Sequence, residues 1–463
     1  MINNILPNSW GSFVTKAGTF MKKSGKHALQ GVNPGGYYQA IWCRDASYIL
    51  RDWALSGNFA AALQELYLIW SHQIQPGREK VVYGRGSPEM KFVPQEVKDD
   101  KQKDFAGALP TTIYQAGFSE IYGQNPDIDS TALMISTTAW ILNRSLKANS
   151  ISSDCSMLST TASESSADYV SGLLLKLGIT DPKKAFDFLV PRMLMSVDYL
   201  SKCDIDGDGL LEQNYNEDWM DTVLRAGKIV YSQACWILAL NNLSSLLISG
   251  DKQDESNRLK GLAEKAVQAV EQKLWSEEDG AYIDIQDARH TDDPYRTLTQ
   301  DVSLYLVAMS ENASNQNLTI KSEQIASREK NSHPNLQRAN KTLDVLKNRV
   351  WKKKWPLVTE LDLNHTGPWV LKPYQYHNHT FWPWITGIEM LARSRFDRAE
   401  ECNILLSKLT TESNLYMHTL YEWVNPITDE GKGAFPFRTG ISAVRISIFD
   451  IFNNIRNRLS ADG

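Results

Sequence analysis

The segment 216–221, NEDWMD, concentrates three carboxyl groups, those of Glu217, Asp218 and Asp221, around the indole ring of Trp219. A carboxyl group beside an apolar ring and other carboxylates is poised for a raised pKa, which a general acid needs near neutral pH. A solvated acidic loop is the other interpretation of these residues. The segment alone leaves both open.

A second chemical segment is Trp42-Cys43-Arg44-Asp45, which stands directly before a helical pattern. Asp45 can cap that helix, with Arg44 as its ion-pair partner. Alternatively, the Arg–Asp pair binds two neighbouring sugar hydroxyls. The carboxylate accepts hydrogen bonds from these hydroxyls, and the guanidinium donates hydrogen bonds to their oxygens. The dipeptide by itself does not decide between the two.

The segment 376–384, YHNHTFWPW, combines histidines with aromatic rings. His377 and His379 point apart on any helix, and no H-E-x-x-H spacing accompanies them, so a zinc site is not indicated. Hydrogen bonding to a polar ligand beside stacking Trp382 and Trp384 explains the segment more economically.

The segment 420–426, LYEWVNP, holds Glu422 between two aromatic residues, which is a weak signal on its own. The sequence contains no G-x-S-x-G elbow, phosphate-binding loop or dinucleotide fingerprint. Chemistry through a serine or cysteine nucleophile therefore has no support.

The segment 204–209, DIDGDG, looks like the start of a calcium loop. Counted from Asp204, however, position 12 is Tyr215, where an EF-hand requires a glutamate. A tight turn built from Asp and Gly is expected here rather than a metal site.

Composition narrows the range of partners. With 42% hydrophobic and 22% charged residues the chain is globular, and a net charge of −5 gives no reason to expect nucleic acid or an anionic membrane. The 14 Trp and 18 Tyr suit stacking on sugar rings, although a large aromatic core would need them too. Five scattered Cys form no C-x-x-C pair, so neither a zinc ribbon nor a disulfide framework is indicated.

We expect no secretion signal, no membrane span and a cytoplasmic location.

Helical periodicity dominates the chain, as where Phe59, Leu63, Leu66 and Trp70 follow the N-cap candidate Asn58. No block of alternating strand residues appears, so the predicted fold class is all-α. The predicted helices are 43–56, 58–74, 130–148, 168–177, 183–202, 228–249, 255–275, 298–310, 335–350, 380–394, 396–409 and 438–457.

The loops between these helices alternate in character. A ring of helical hairpins would place alternate connections on one face, so we interpret the long loops as the walls of one cleft. These loops are 31–45, 75–129, 203–227, 351–380 and 416–440. The Ser-rich stretch 151–167 and the polar stretch 311–334 are predicted to be mobile insertions within a single domain, 1–463.

Taken in order, four of these segments resemble the six-hairpin glycosidases. That group includes glucoamylases, the amylo-α-1,6-glucosidase part of glycogen-debranching enzymes, processing α-glucosidases and neutral invertases. WCRDASYILR resembles their W-x-R-D opening, residues 204–240 resemble their D-x-D-G-D-G…W-M-D…G-K stretch, YHNHTFWPW resembles their Y-H-x-G-x-x-W-P-W segment, and LYEWVNP resembles the segment with the catalytic base. The resemblance spans about 35–455. It departs from the family at His379, which replaces a Gly, and at Glu422, which lacks the S-E-I-x-D-G context of debranching enzymes.

The resemblance implies an (α/α)6 toroid of six helical hairpins and an inverting hydrolase. Asp221 would be the general acid and Glu422 the general base, about 6.5–9.5 Å apart to leave room for water. Neither a metal nor an organic cofactor is implied, and the partner is an oligosaccharide or small glucoside. The expected substrate-binding residues are Trp42, Arg44, Asp45, Glu217, Asp218, Trp219, His377 and Trp382.

The substrate stays open at this level. Cleavage of α-glucosidic bonds of the glycogen-debranching or glucoamylase-like type is the leading hypothesis. A neutral invertase, or an α-glucosidase acting on a small glucoside such as glucosylglycerate or trehalose, is the alternative. A polysaccharide lyase and a non-catalytic sugar binder are the remaining hypotheses, and the Arg44–Asp45 pair counts against the lyase.

Overall fold

The structure, a computed structural model, describes residues 8–76, 105–115, 117–121, 125–151, 182–223, 225–286, 296–315, 334–352, 355–360, 371–410 and 420–461. Its helices are α1 (Asn8–Ala28), α2 (Cys43–Leu55), α3 (Phe59–Ser71), α4 (Ile128–Ile151), α5 (Pro182–Ser201), α6 (Val230–Ser249), α7 (Gln253–Lys273), α8 (Ser303–Asn315), α9 (Pro334–Val345), α10 (Pro383–Arg395), α11 (Ala399–Thr410) and α12 (Arg438–Ala461).

The even-numbered helices form a closed inner ring. Helix α2 packs on α4, α4 on α6, α6 on α8, α8 on α10, α10 on α12, and α12 returns to α2. The odd-numbered helices lie outside: α3 packs on α2 and α4, α5 on α4, α7 on α6 and α11 on α10, while α1 packs on α11, α12 and α2. The predicted all-α, (α/α)6 toroid is thus confirmed.

Burial separates the two layers. Helix α6 buries 16 of its 20 residues, and its apolar side chains face all directions. Its neighbour α7 buries 7 of 21, on one stripe that begins at Ser256 and Leu259. An inner helix is covered on every side by other helices, whereas an outer helix needs only one apolar face.

Helix α1 was not predicted. Its buried side chains, Phe13, Ala17, Phe20, Ser24 and Ala28, recur every three or four residues on one face. Three glycines and four lysines within the helix dilute this pattern, and glycine weakens helices intrinsically. Tertiary packing therefore overrides local preference in this outer helix.

Short strands in the loops at the ends of the helices pair with one another. They form small antiparallel sheets of two or three strands each. The strands are β1 (Ile41–Trp42), β2 (Thr112–Ile113), β3 (Ser119–Glu120), β4 (Gly227–Lys228), β5 (Trp275–Ser276), β6 (Ala281–Tyr282), β7 (Asp284–Gln286), β8 (Arg296–Thr297), β9 (Trp351–Lys352), β10 (Trp355–Pro356), β11 (Trp423–Val424) and β12 (Gly431–Lys432).

Several sequence predictions fall at the edges of the described residues. Helix α8 continues to Asn315, so the polar stretch predicted from 311 begins inside a helix. Residues 152–167, 316–333 and the predicted helix 168–177 lie outside the described residues. None of the described helices is long and apolar enough to cross a membrane.

Candidate active site

A pocket of about 60 Å³ lies where the first turns of α2, α10 and α12 meet. Helix N-termini carry partial positive charge, which favours anionic side chains and polar ligands there. The pocket draws its walls from segments far apart in the sequence. Its lining residues are Pro34, Tyr38, Trp42, Arg44, Asp45, Trp219, Asp221, Tyr376, Trp382, Trp384, Glu422, Phe437 and Thr439.

Asp221 reaches the pocket from the turn that follows Trp219, and its side chain is 30% exposed. The ring of His377 lies behind it: His377 Nδ1 is 3.8 Å from Asp221 Oδ1 and 2.8 Å from Thr222 Oγ1. Burial, together with the positive charge of Arg225, lowers the pKa of His377 well below its usual value. The imidazole is therefore neutral near pH 7 and brings no positive charge to Asp221.

Aromatic rings form the wall around Asp221. The ring centroid of Trp219 lies 5.0 Å from that of Trp384 and 5.3 Å from that of Trp382, both edge to face. His377 stacks on Trp382 at 4.8 Å. His377 itself does not line the pocket but supports its wall from behind.

Glu217 and Asp218 do not line the pocket, so their expected contact with substrate has no support in the structure. The side chain of Glu217 accepts bonds from the backbone N of Asn214 and the side-chain amide of Asn125. Asp218 accepts from Arg225 Nε at 2.7 Å. Both carboxylates turn inward because they satisfy the buried donors that hold the 216–221 turn in place.

The Arg225 guanidinium is the centre of this inner support. It is buried and pairs with Asp218, with Asp284 at 3.2 Å and with Asp301 at 2.8 Å. Asp301 also accepts from Trp219 Nε1 at 2.8 Å. One buried cation thus fixes both the turn that carries Asp221 and the indole beside it.

Glu422 enters the pocket from the loop before β11 and is almost fully buried. Its Oε1 accepts from Tyr38 Oη at 2.8 Å and from Tyr376 Oη at 3.4 Å. Its Oε2 accepts from Tyr37 Oη at 3.1 Å and from the backbone N of Ala434 at 2.8 Å. Four donors suit a carboxylate, which only accepts hydrogen bonds.

Two glycines allow the backbone to approach this carboxylate closely. Gly433 has φ +74°, and a Cβ there would lie 2.2 Å from Glu422 Oε2. Gly36 has φ +57°, and a Cβ there would lie 2.7 Å from the backbone N of Phe435. The loop that carries Tyr37 and the loop after Glu422 therefore meet only because both positions lack side chains.

Arg44 and Asp45 both line the pocket, but they do not pair with each other. Arg44 Nε donates to Asp129 at 2.6 Å, and its Nη2 donates to Asp127 at 3.0 Å. Asp45 accepts from Thr439 Oγ1 at 2.5 Å and provides no side-chain cap to α2. The ion pair and the helix cap considered for this dipeptide are both wrong, because each side chain has a partner on another inner helix.

Burial raises the pKa of Asp45 to about 6, although Arg44 and the Thr439 hydroxyl oppose the shift. Burial likewise raises the pKa of Asp127 to about 8. Asp45 and Asp127 therefore hold their protons more tightly than exposed acids do.

His379, which departs from the family's Gly, does not narrow the pocket. Its φ is +59°, the left-handed conformation that Gly adopts most easily. Its Nδ1 contacts the carbonyl oxygen of Thr359 at 2.7 Å, away from the pocket lining.

Several residues that line the pocket or contact Glu422 were not singled out from the sequence as binding residues. Tyr37 and Tyr38 follow two glycines in the loop before the Arg44–Asp45 dipeptide, and this doubled tyrosine was the available signal. The sequence carried no signal for Thr439 and Phe437. Both are common residue types near the start of a helix, and their type alone suggests no chemistry.

The 204–209 segment forms a tight turn outside the pocket. The backbone N of Gly209 donates to Asp204, that of Asp208 to Asp206 and that of Leu210 to Asp208. Lysine ammonium groups neutralise these carboxylates: Lys228 bonds Asp206 at 2.7 Å and Asp208 at 2.5 Å, Lys265 bonds Asp204 at 3.3 Å, and Lys273 bonds Asp208. Backbone and lysine donors thus contact all three carboxylates of this turn.

No protein-family model and no curated protein sequence matches the chain. Solved structures do match it. The GH63 mannosylglycerate hydrolase from Thermus thermophilus in complex with Tris aligns with a TM-score of 0.56 and 14% identity, covering 94% of this chain and 99% of that one.

A glycosidase with a Glu-to-Ala substitution, in complex with glucose, aligns with a TM-score of 0.54 and 11% identity over 96% of this chain and 99% of that one. A bacterial glucoamylase complexed with acarbose aligns with a TM-score of 0.51 and 14% identity, over 90% of this chain but 49% of its own. The chain therefore shares its overall fold with these three proteins.

Proposed function

We propose that this protein is an inverting glycoside hydrolase in which Asp221 protonates the glycosidic oxygen and Glu422 activates the attacking water. One observation carries the proposal: two carboxyl groups two hundred residues apart line one pocket together with Arg44 and Asp45. Inverting hydrolysis needs two carboxyl groups that face each other across a sugar.

The surroundings of the two carboxyl groups support the assignment of acid and base. Asp221 shares the pocket with the indole rings of Trp219 and Trp382, which form an apolar wall beside the proposed acid. Glu422 accepts from three tyrosine hydroxyls and one backbone N, which hold the carboxyl group of the proposed base in a fixed position. Paired carboxyls in opposite environments are the usual basis of such a division of roles.

Arg44 and Asp45 bind the terminal sugar of the substrate in this proposal. Asp127 and Asp129 fix the Arg44 guanidinium, so its orientation is set before a ligand arrives. Asp45 offers a carboxyl group from the same turn of α2, and Trp42 and Trp382 offer ring surfaces in the same pocket. A preoriented anchor of this kind lowers the entropy cost of placing the scissile bond.

For the substrate, the leading proposal is an α-glucosidic bond of the glycogen-debranching or glucoamylase-like type, from the W-M-D resemblance. A small glycoside is the second candidate. It is favoured by the mannosylglycerate hydrolase structure, which this chain matches over 99% of that protein's length, against 49% for the glucoamylase.

A substrate panel tests both candidates: maltose, isomaltose, limit dextrin, trehalose, sucrose, glucosylglycerate and mannosylglycerate, with proton NMR of the first product. Release of the inverted anomer from any of them supports the proposal, and the substrate cleaved fastest chooses between the candidates. Retention of anomeric configuration would contradict the inverting mechanism. Ultraviolet absorbance from an unsaturated uronate on uronan cleavage would identify a lyase instead.

A further inference from the structure

The two carboxyl groups of the pocket differ in their access to water. The side chain of Asp221 is 30% exposed, whereas Glu422 as a whole residue is 2% exposed. In the proposed function, on which this inference rests, Asp221 gives one proton to the glycosidic oxygen and Glu422 takes one from the attacking water. Asp221 can regain its proton from bulk water directly. Glu422 needs another route to lose its proton while a sugar fills the pocket.

The two oxygens of Glu422 have different partners. Among the described residues, Oε2 accepts from the Tyr37 hydroxyl at 3.1 Å and from the backbone N of Ala434 at 2.8 Å. A backbone N–H group only donates, whereas a phenol hydroxyl can accept one proton and donate another. Tyr37 is therefore the partner through which a proton on Oε2 can leave.

Tyr37 also connects Glu422 with the surface of the protein. It is 61% exposed, whereas Tyr38 and Tyr376, which donate to the other carboxylate oxygen, are only partly exposed. Burial raises the pKa of Tyr37 to about 12 and raises the pKa of Tyr38 and of Tyr376 well above its ordinary value. All three hydroxyls thus carry their protons near pH 7, and that of Tyr37 belongs to the side chain nearest to solvent.

Backbone contacts hold this exposed tyrosine in place. Gly35, two residues before it, has φ +94°, and a Cβ there would lie 2.2 Å from the carbonyl oxygen of Pro436. The backbone N of Arg438 donates to the carbonyl oxygen of Pro34 at 2.7 Å. The loop that carries Tyr37 is therefore fixed against the start of α12, so its hydroxyl can face Glu422 without burial of the ring.

We propose that Tyr37 carries the proton of Glu422 to solvent after each hydrolysis. The protonated Oε2 would donate to Tyr37 Oη, and its proton would move to that oxygen as the hydroxyl proton of Tyr37 passes to a water molecule. The O–H bond on Glu422 breaks and a new one forms on Tyr37, so the carboxylate is restored and Tyr37 again holds one proton. Asp221 takes up one proton from solvent in the same cycle, which balances the reaction.

Two single-hydroxyl variants, Tyr37→Phe and Tyr38→Phe, test the proposal, because each removes one hydrogen bond to Glu422. On the best substrate of the panel, Tyr37→Phe should lower kcat several-fold with little change in KM. Its solvent isotope effect on kcat in D2O should exceed that of the wild type. Acetate, a small base that can take the proton instead, should restore part of kcat at constant pH and ionic strength. Tyr38→Phe, the matched control, should show neither the larger isotope effect nor the rescue.

Unchanged kcat in Tyr37→Phe would overturn the relay. A raised KM without a change in the isotope effect would overturn it too and mean that Tyr37 only contacts the leaving group. Equal rescue of both variants by acetate would show a general buffer effect instead. If Glu422→Gln is inactive while Tyr37→Phe turns over normally, the relay fails and the proposed function stands. If the wild type hydrolyses nothing in the panel, both fall.

Discussion

Two groups of carboxylates in this molecule share the same chemical group but have opposite surroundings. Asp206 and Asp208 lie in a solvent-facing turn, where lysines and backbone N–H groups neutralise them. Asp45 and Glu422 lie in a buried pocket, where hydroxyl groups are their main partners. The first arrangement stabilises a loop and leaves little reactivity. In the second, hydroxyl groups take the place of ion-pair partners among the described residues, which favours acid and base chemistry.

The largest expected effect separates the two groups directly. Asp221→Asn and Glu422→Gln should each lower kcat by about 10²–10⁴-fold, because each removes one proton transfer. Asp206→Asn, the matched change in the turn, should leave kcat unchanged. Steady-state kinetics on the best substrate of the panel, with circular dichroism as the check of folding, measures this. Normal turnover in either pocket variant would show that the pocket carboxyl groups are no more reactive than those of the turn.

A pair of glycines with the same backbone conformation sharpens the comparison. Gly433 and Gly207 have φ of +74° and +75°. A Cβ added at Gly433 would lie 2.2 Å from Glu422 Oε2, whereas a Cβ added at Gly207 would have no atom within 4 Å. Gly433→Ala should lower kcat about 100-fold, because Glu422, the proposed base, must move. Gly207→Ala should cost only about 1 kcal/mol of stability at unchanged kcat. Equal kinetics in the two variants would show that the position of Glu422 is not critical.

The tyrosine donors predict a smaller effect. Tyr38→Phe removes the 2.8 Å bond to Glu422 Oε1 and should lower kcat/KM about 10-fold, since hydrogen bonds to charged groups contribute about 1.5–3 kcal/mol. A positioning role predicts that the acidic limb of the pH–rate profile shifts as well, which a purely structural defect would not cause. Tyr282→Phe, whose hydroxyl donates to Glu271 outside the pocket, is the control.

The smallest effect is a difference in sign between two pH dependences of stability. Burial raises the pKa of Asp45 to about 6, so the free energy of unfolding that this group contributes falls as pH rises from 4 to 6, by up to about 3 kcal/mol. Hydrogen bonds from Lys228 and Lys273 lower the pKa of Asp208 to about 2 despite partial burial. Asp208 therefore adds to the free energy of unfolding above pH 4, and this contribution is lost as pH falls towards 2. It amounts to less than about 1 kcal/mol, because water screens the ion pairs of this turn.

Urea denaturation of the wild type, Asp45→Asn and Asp208→Asn from pH 2.5 to 7 measures both slopes. The wild type should lose stability relative to Asp45→Asn as pH rises and gain it relative to Asp208→Asn. Slopes of the same sign would show that the two environments do not differ as described.

Much of the fold was predictable because inner helices carry strong apolar patterns. The predicted 43–56 and 228–249 match α2 and α6 within two residues. Helix α1 was missed because its stripe of Phe13 and Phe20 is interrupted by glycines and lysines, and only the packing on α11 and α12 reveals it.

The site was predictable only in part, for a physical reason. Asp221, Glu422, Arg44 and Asp45 stand in distinctive local segments, and the structure brings them to one pocket. The partners of each side chain are set by tertiary contacts that no segment reveals. Arg44 therefore pairs with Asp129 rather than with its neighbour in the chain, and Glu217 turns inward.

The closure of the ring has a consequence for folding. Tyr37 and Tyr38 donate to Glu422 across sequence separations of 385 and 384 residues, and Arg445 pairs with Asp52 across 393. Contacts so distant should form late, because closing so long a loop costs chain entropy. Helix content and an assembled pocket should thus recover in separate phases after denaturation, and the hydroxyl donors around Glu422 would be among the last native contacts to form.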